Sequence, residues 1–409
     1  MSVAGTATTG AMIYCFDGYV LDVERYELRH GNEIVAVEPQ VFDVLTLLIS
    51  SRDRVVEKRE LLDTVWGTRF VTESALTSRI KAARRAIGDS GQAQRAIRTV
   101  HGRGYRFIAD VTTTPDRERD RAEAVGTGRA QEVRFCRAGD DVRIAYGSVG
   151  TGPVLVKSAN WLTHVRYSWE SIVWGHWLRD LSAHRRLIHY DQRGCGLSDW
   201  DVDDVSFDAW VRDLETVVDA VALDRFGLLG ISQGGALAAA YAARHPDRVS
   251  HLVLYGSFPL GRTRRARTNA ELHDAEMMLE LLRSGWARED SPFGRMFASQ
   301  FMPGGSLEQW ASFVELQRRT TSAENAIRLM SVSAGIDVTD VAPLVRAPTL
   351  VMHATGDHRV PLEQGELFAA LIPGAQFVAL EGNNHILQED EPAWSRFIAE
   401  VDAFVREEA

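Results

Sequence analysis

The spacing of apolar residues changes character several times along the chain. Residues 12–21 and 24–37 alternate in short runs, which predicts strands of a small antiparallel sheet. Pro39 then opens a segment in which Val41, Phe42, Val44, Leu45, Leu47 and Leu48 recur at helical spacing. A short extended piece, Arg54-Val55-Val56, precedes a helix over 58–66 that Gly67 should stop. A third helix, capped by Thr72 or Ser74, is expected to run to about Ile87. Ala75, Leu76, Ile80, Ala83 and Ile87 mark its apolar face, while Thr77, Ser78, Lys81, Arg84 and Arg85 lie largely off it. Residues 96–111 alternate again, and His101-Gly102-Arg103-Gly104-Tyr105 suits a hairpin tip.

Residues 112–130 have almost no large apolar side chains and are dense in charge, so they read as a linker. From Gln131 onward strand-like runs alternate with helical ones, the pattern of a mostly parallel α/β sheet. Strands are expected at 131–137, 142–149, 153–158, 185–190, 226–231, 249–255, 348–354 and 375–380. Helices are expected near 170–183, 207–222, 233–244, 361–372 and 391–407. Residues 258–345 carry helical segments with little strand signal, the size of a cap inserted after the sixth strand and suited to a lid. The expected organisation is therefore a domain at 12–112, a linker at 113–130 and a second domain at 131–409.

A chain of 409 residues exceeds one ordinary core. Apolar content of 45% and charged content of 25% describe a globular protein, and no run approaches 18 apolar residues, so no membrane span is expected. The opening MSVAGTATTGAM lacks the basic and apolar regions of a signal peptide. Three scattered cysteines, Cys15, Cys136 and Cys195, fit a reducing compartment, and the expected location is the cytoplasm. The net charge of −10 conceals an asymmetry: residues 1–110 hold 15 Lys/Arg against 14 Asp/Glu, and the remainder 31 against 42. Within 79–106, Arg79, Lys81, Arg84, Arg85, Arg95, Arg98, Arg103 and Arg106 face only Asp89 in opposition. On charge alone, a phosphate-binding surface and a solvated helix face stand equal.

The order of elements favours the first. With "VTESALTSRIKAARRAIGD" and "IRTVHGRGYRFIADV", the first domain resembles the winged helix-turn-helix DNA-binding domain of OmpR/PhoB-type transcriptional regulators. The resemblance implies a third helix in the major groove of double-stranded DNA and a wing arginine in the adjacent minor groove. Carried over by position, Ser74, Thr77, Ser78, Arg79, Lys81 and Arg84 become candidate base or phosphate contacts. Arg106 becomes the wing contact, with Arg103 beside it at the tip. No N-terminal phospho-receiver of the family's kind is expected; the expected arrangement puts the module first, as in ToxR/CadC-like regulators, but without their membrane helix.

The second domain carries Gly230-Ile231-Ser232-Gln233-Gly234 between a strand and an Ala-rich helix. The glycines suit a turn too tight for a Cβ, one that lifts the serine above the sheet. A serine hydroxyl needs a base, and the base a carboxylate to fix its tautomer. Asp357, in "LVMHATGDHRVP", and His385, in "FVALEGNNHILQED", follow later strands in that order. His353 and His358 read as local structure. Together with "YDQRGCGLSD" at 190–199, in which Cys195 reads as a small buried residue, these features make residues 131–409 resemble the α/β-hydrolase superfamily, and the resemblance implies that Asp191 and Arg193 brace loops around the site. The resemblance implies an oxyanion hole from the backbone N–H of Gln233 and of Trp161 or Asn160. The loop Ser158-Ala159-Asn160-Trp161-Leu162 stands where many relatives carry His-Gly. Trp174 and Trp177 read as core. Trp161 reads as a pocket wall, which would favour an apolar or aromatic acyl group.

The fold class expected is thus two domains, an N-terminal winged helix-turn-helix and a C-terminal α/β-hydrolase fold with a helical cap. The expected function is a cytoplasmic regulator that binds DNA and a small effector, an ester, thioester or lactone that the Ser232, His385 and Asp357 set would hydrolyse. Two alternatives stay open: a serine hydrolase whose basic module serves docking or oligomerisation, and a non-catalytic hydrolase-fold sensor. No cofactor and no metal are called for, and a homodimer is the default.

Overall fold

The computed structural model describes residues 12–23, 26–31, 33–66, 73–115, 131–286 and 292–406. Gly67, Thr72 and linker residues 116–130, singled out above, lie outside these. The chain divides into two compact units between residues 128 and 129.

The first unit begins with β1 (Met12–Phe16), β2 (Tyr19–Asp22), β3 (Glu27–His30) and β4 (Glu33–Val35). There follow α1 (Pro39–Ser50), β5 (Val56–Glu57), α2 (Lys58–Trp66), α3 (Glu73–Ala86), β6 (Ile97–Val100), β7 (Gly104–Phe107) and β8 (Thr112–Pro115). Strands β4-β3-β2-β1-β8 form one antiparallel sheet and β5-β7-β6 another. The helices close over one core, into which Leu45, Leu48, Leu61, Ile80 and Phe107 are sunk almost completely. Burial of the α3 face at Leu76, Ile80 and Ala83 follows the helical period.

One boundary differs from expectation. Thr112–Pro115, placed in or at the edge of the linker on composition, pairs antiparallel with β1, Met12 opposite Pro115 and Cys15 opposite Thr112. Three consecutive threonines favour extended backbone, and the open edge of β1 supplies the partner that local composition does not reveal.

The second unit contains β9 (Glu132–Arg137), β10 (Arg143–Val149), β11 (Val154–Lys157), α4 (Tyr167–Glu170), α5 (Gly175–Ser182), β12 (Arg186–Tyr190) and α6 (Phe207–Ala220). Next come β13 (Phe226–Ile231), α7 (Gln233–Arg244) and β14 (Val249–Tyr255). Five helices follow: α8 (Arg262–Arg265), α9 (Asn269–Gly285), α10 (Pro292–Phe301), α11 (Leu307–Thr320) and α12 (Ala323–Ala334). The chain closes with β15 (Thr349–Ala354), α13 (Leu362–Leu371), β16 (Gln376–Leu380) and α14 (Pro392–Arg406). The helix expected over 170–183 is two pieces, because Ser171 is extended and its hydroxyl takes the Val173 N–H.

The eight strands are ordered β16-β15-β14-β13-β11-β12-β10-β9. Only β9 and β12 run antiparallel to their shared neighbour β10; the other pairings are parallel. β11 and β13 are adjacent although β12 lies between them in sequence, so the chain order reverses there. The carboxyl ends of such strands open a crevice, and Ser158 and Ser232 follow those two ends. Helices α8 to α12, between β14 and β15, form the helical insertion.

The insertion is fastened to the loops below it. Gly196 N–H donates to Thr320 O at 2.7 Å, and Asn325 Nδ2 donates to Gly194 O at 3.2 Å and Trp200 O at 2.8 Å. The loop holding Gly194 and Gly196 is braced in turn by Arg193. Its guanidinium donates to Asp213 at 2.6 and 2.8 Å and to Asp140 at 2.6 Å, with both Arg193 and Asp213 buried. Among the described residues no helix is long and apolar enough to cross a membrane.

Candidate functional sites: a nucleophile cleft and a basic helix face

Ser232 stands at the junction of β13 and α7 with φ 55° and ψ −129°. A non-glycine residue held there stores on the order of 1–3 kcal/mol of strain. Two contacts explain why the neighbours are glycines. A Cβ on Gly230 would come 2.5 Å from the Gly235 Cα, and one on Gly234 would come 2.7 Å from the Ala159 carbonyl. The turn is also pinned from the side, since Ser232 N–H donates to Tyr255 O at 3.0 Å.

Asp357 follows β15 and His385 follows β16, and the two meet. His385 Nδ1 lies 2.6 Å from Asp357 Oδ2, with both residues buried. Asp357 Oδ1 accepts the N–H groups of Arg359 at 2.8 Å and Val360 at 3.0 Å. Burial alone would raise the carboxyl pKa. The His385 charge, the His353 and His385 side chains and the Val360 N–H outweigh it and hold Asp357 well below the usual range. An ionised carboxylate there accepts Nδ1–H and leaves Nε2 as the free nitrogen. His385 and Ser232 share the lining of a small cavity with Trp161, Trp174 and Phe301. The two make no direct hydrogen bond with each other among the described residues. The cap reaches this loop directly, since Phe301 O accepts the N–H of His385 at 2.8 Å and of Ile386 at 3.1 Å.

His353 is fully buried, donates Nε2–H to Val360 O at 2.8 Å and lies 3.5 Å from Asp357 Oδ2. It steadies the aspartate rather than facing the cavity. His358 is exposed on an outer groove. Cys195 is fully buried and its thiol is pushed far up by burial, which suits a packing residue.

Gln233 begins α7 and lines the larger cavity beside Ser232, while Asn160 and Trp161 line the smaller one. The β11 loop bearing them is fixed to the elbow: Ser158 N–H donates to Leu229 O at 2.9 Å and Ser158 Oγ to Gly234 O at 2.8 Å. Buried Lys157 donates to the Asn160 side chain and lies 5.5 Å from the Trp174 ring centre. Trp177 is core, packed on Trp394, Phe397 and Tyr255. Trp174 is mostly core too but borders the small cavity.

The larger cavity encloses about 620 Å³, part of it open to solvent. Beside Trp161, Phe258, Met278 and Phe301 its wall holds Arg262, Arg265 and Arg359. These arginines were missed from sequence. The signal available was the crowding of Arg262, Arg264, Arg265 and Arg267 directly after the sixth strand of the sheet.

In the first unit, Ser74, Thr77, Ser78 and Lys81 are exposed on α3, and exposed Arg85 lies one turn beyond Lys81 on the same stripe. Arg103 is exposed at the β6–β7 tip, and Arg106 is exposed on β7 with Nε donating to Arg52 O at 3.1 Å. Two expectations are corrected. Arg84 is buried, and its guanidinium donates to Ile97 O at 2.8 and 3.1 Å and to Thr99 Oγ1 at 2.9 Å, which ties α3 to β6. Arg79 is turned toward the start of α1, 2.9 Å from Gln40 Oε1 and 3.3 Å from Glu38. Both are committed inside the domain. Arg98, by contrast, is exposed directly across the ladder from Arg106. Like charges in that position repel, so the pair gains from an anion between them.

The family model described as transcriptional regulatory protein, C terminal, matches residues 31–107, and the one described as alpha/beta hydrolase fold matches residues 162–392. The pyrrolizixenacetamide deacetylase of Xenorhabdus hominickii is 27% identical over 273 residues, 66% of this chain and 96% of that protein. The transcriptional regulator HilA of Salmonella typhi is 36% identical over 98 residues, 24% of this chain and 17% of its own length. An esterase from Exiguobacterium antarcticum shares the fold, with a TM-score of 0.56 at 23% identity over 66% of this chain and 98% of its own.

Proposed function

Because the chain belongs to the α/β-hydrolase fold family and carries an OmpR/PhoB-type regulatory domain ahead of that fold, we propose that it is a cytoplasmic DNA-binding regulator. Its hydrolase domain binds a small acyl effector, an ester, thioester or lactone, and hydrolyses it. The observation that carries this reading is the presence, in one chain, of an exposed basic helix face and an elbow serine beside a histidine–aspartate pair. In this reading His385 Nε2 takes the Ser232 proton as Oγ attacks the acyl carbon, and Asp357 stabilises the imidazolium. The N–H of Gln233, with that of Trp161 or Asn160, receives the oxyanion. Water then releases the acyl group from Ser232.

On the DNA side, Ser74, Thr77, Ser78, Lys81 and Arg85 face the major groove, and Arg98, Arg103 and Arg106 face the adjacent backbone or minor groove. Most of these contacts position the domain on phosphates, and only those reaching base edges read sequence. The regulator works as a homodimer, and the effector acts by binding one DNA-binding state better than the other. A second reading, a sensor that holds its ligand without turnover, is favoured by the absent Ser232–His385 hydrogen bond.

The test is fluorescence anisotropy of the full chain on DNA from upstream of its own gene, against a scrambled duplex, over a salt series. Preference for the native sequence, lost in Lys81→Gln with Arg85→Gln, supports the reading. Equal, purely salt-dependent binding to both duplexes overturns specific regulation.

A further inference from the structure

The three arginines of the cleft stand out because no carboxylate among the described residues pairs with them. Among those residues Arg262 makes no side-chain hydrogen bond, Arg265 only a 3.5 Å contact to Arg359 O, and Arg359 only contacts to Gln300 Oε1 at 3.1 Å and Met330 Sδ at 3.3 Å. Each guanidinium offers five N–H donors, so most are unused. Aromatic faces position two of them: Arg359 lies 4.7 Å from the Phe301 ring centre and Arg265 lies 5.9 Å from that of Phe258.

Such a cluster is costly to keep charged. Burial, and then the charge of its neighbours, disfavours the protonated forms of Arg265 and Arg359. The Asp357 charge favours both protonated forms, but its oxygens are taken by His385 and by the N–H groups of Arg359 and Val360. The same three arginines also line an outer groove with Arg264 and Arg267 against Glu271, Asp274 and Glu363, which leaves the approach to the cleft net positive. Glu271 on that groove is occupied capping α9, where it accepts the N–H of Arg267 and Thr268.

We propose that the cleft beside Ser232 takes a small acyl compound bearing a carboxylate, and that Arg262, Arg265 and Arg359 bind that carboxylate while the acyl carbon lies at Ser232. This rests on Ser232 as the centre of the site and replaces the purely apolar pocket suggested by Trp161. The planar forks of arginine match a carboxylate in paired hydrogen bonds, and the apolar wall receives the carbon chain between the two ends.

The test compares two esters of equal length on the full wild-type chain: mono-p-nitrophenyl glutarate and p-nitrophenyl pentanoate. One to two charge-assisted bonds predict a kcat/KM preference of about 10- to 100-fold for the anionic ester. That ratio should fall toward one in Arg265→Gln and Arg359→Gln and return in part with Arg359→Lys. Calorimetry of Ser232→Ala with glutarate and, separately, inorganic phosphate gives a readout that needs no turnover. Glutarate binding with no ester hydrolysis sinks the hydrolytic reading and keeps the carboxylate site. A wild type that prefers the neutral ester, or Ser232→Ala that binds phosphate and not glutarate, overturns the carboxylate proposal.

Discussion

Replacement of Asp89 tests how the DNA-binding surface is built. Asp89 lies between the end of α3 and the start of β6, and it is 8% exposed. Its Oδ1 accepts the N–H of Ser90 at 2.7 Å and of Arg95 at 2.9 Å; its Oδ2 accepts those of Ala96 at 3.1 Å and Ile97 at 3.0 Å. Ser90 and Arg95 are exposed enough for water to replace the carboxylate. Ala96 and Ile97, at 3% and 0% exposure, are not. Asp89→Ala therefore strands two buried N–H groups, each costing about 1–3 kcal/mol, or about 2–6 kcal/mol for the pair. Hydrogen exchange on the full chain should show amides of residues 96–107 losing protection by about 30-fold or more, with β13 and β14 unchanged. The effect has a pH signature. Burial raises the Asp89 pKa, the four backbone bonds outweigh it, and the folded value lies below the ordinary one. The stability it supplies is fully present above the unfolded pKa of about 3.9 and is lost as pH falls through the lower folded value. Asp89→Ala should flatten that acid limb. A loss of protection under about fivefold, or an acid limb of unchanged slope, would refute the assignment of Asp89 as the clamp of the wing.

The remaining predictions are briefer. Arg98→Gln should relieve repulsion against Arg106 and stabilise the first domain by about 0.2–1 kcal/mol, while DNA affinity falls and the salt slope drops by about one unit per lost phosphate contact. A denaturant series with an anisotropy titration reads these opposite signs; weaker folding with unchanged DNA binding would contradict them. Gly230→Ala forces a Cβ to 2.5 Å from the Gly235 backbone. Backbone must move, so serine labelling should slow more than tenfold even where the variant stays folded by circular dichroism, and an unchanged rate would show that the elbow tolerates the shift.

Which parts of this were legible in sequence follows from how local each signal is. The elbow is legible because its glycine–serine–glycine pattern is complete within five residues and Gly230 is excluded locally by Gly235, although Gly234 answers to the distant Ala159 carbonyl. Asp357 and His385 are legible by position, each following a strongly apolar strand in the required order. Arg84 was misplaced although the period gives it away. It lies four residues after Ile80 and three before Ile87, on the buried stripe, and its long guanidinium reaches the Ile97 carbonyl that the strand leaves open. Arg79 likewise follows Ala75 by one turn and meets Gln40 on α1. β8 escaped because its partner, β1, is about a hundred residues away in the chain. The arginine cluster escaped for the same reason: Arg262 and Arg265 come from the start of the insertion and Arg359 from the loop after β15, and only the fold brings them to one cavity.

The central claim is that Ser232 is an activated nucleophile within a DNA-binding chain, and covalent labelling tests it most directly. The full chain, incubated with a neutral alkyl fluorophosphonate and weighed intact, should gain one adduct that maps to Ser232. Labelling should be absent in Ser232→Ala and slowed at least a hundredfold in His385→Ala. No adduct on the wild type, or an adduct whose rate is indifferent to His385, would contradict the account.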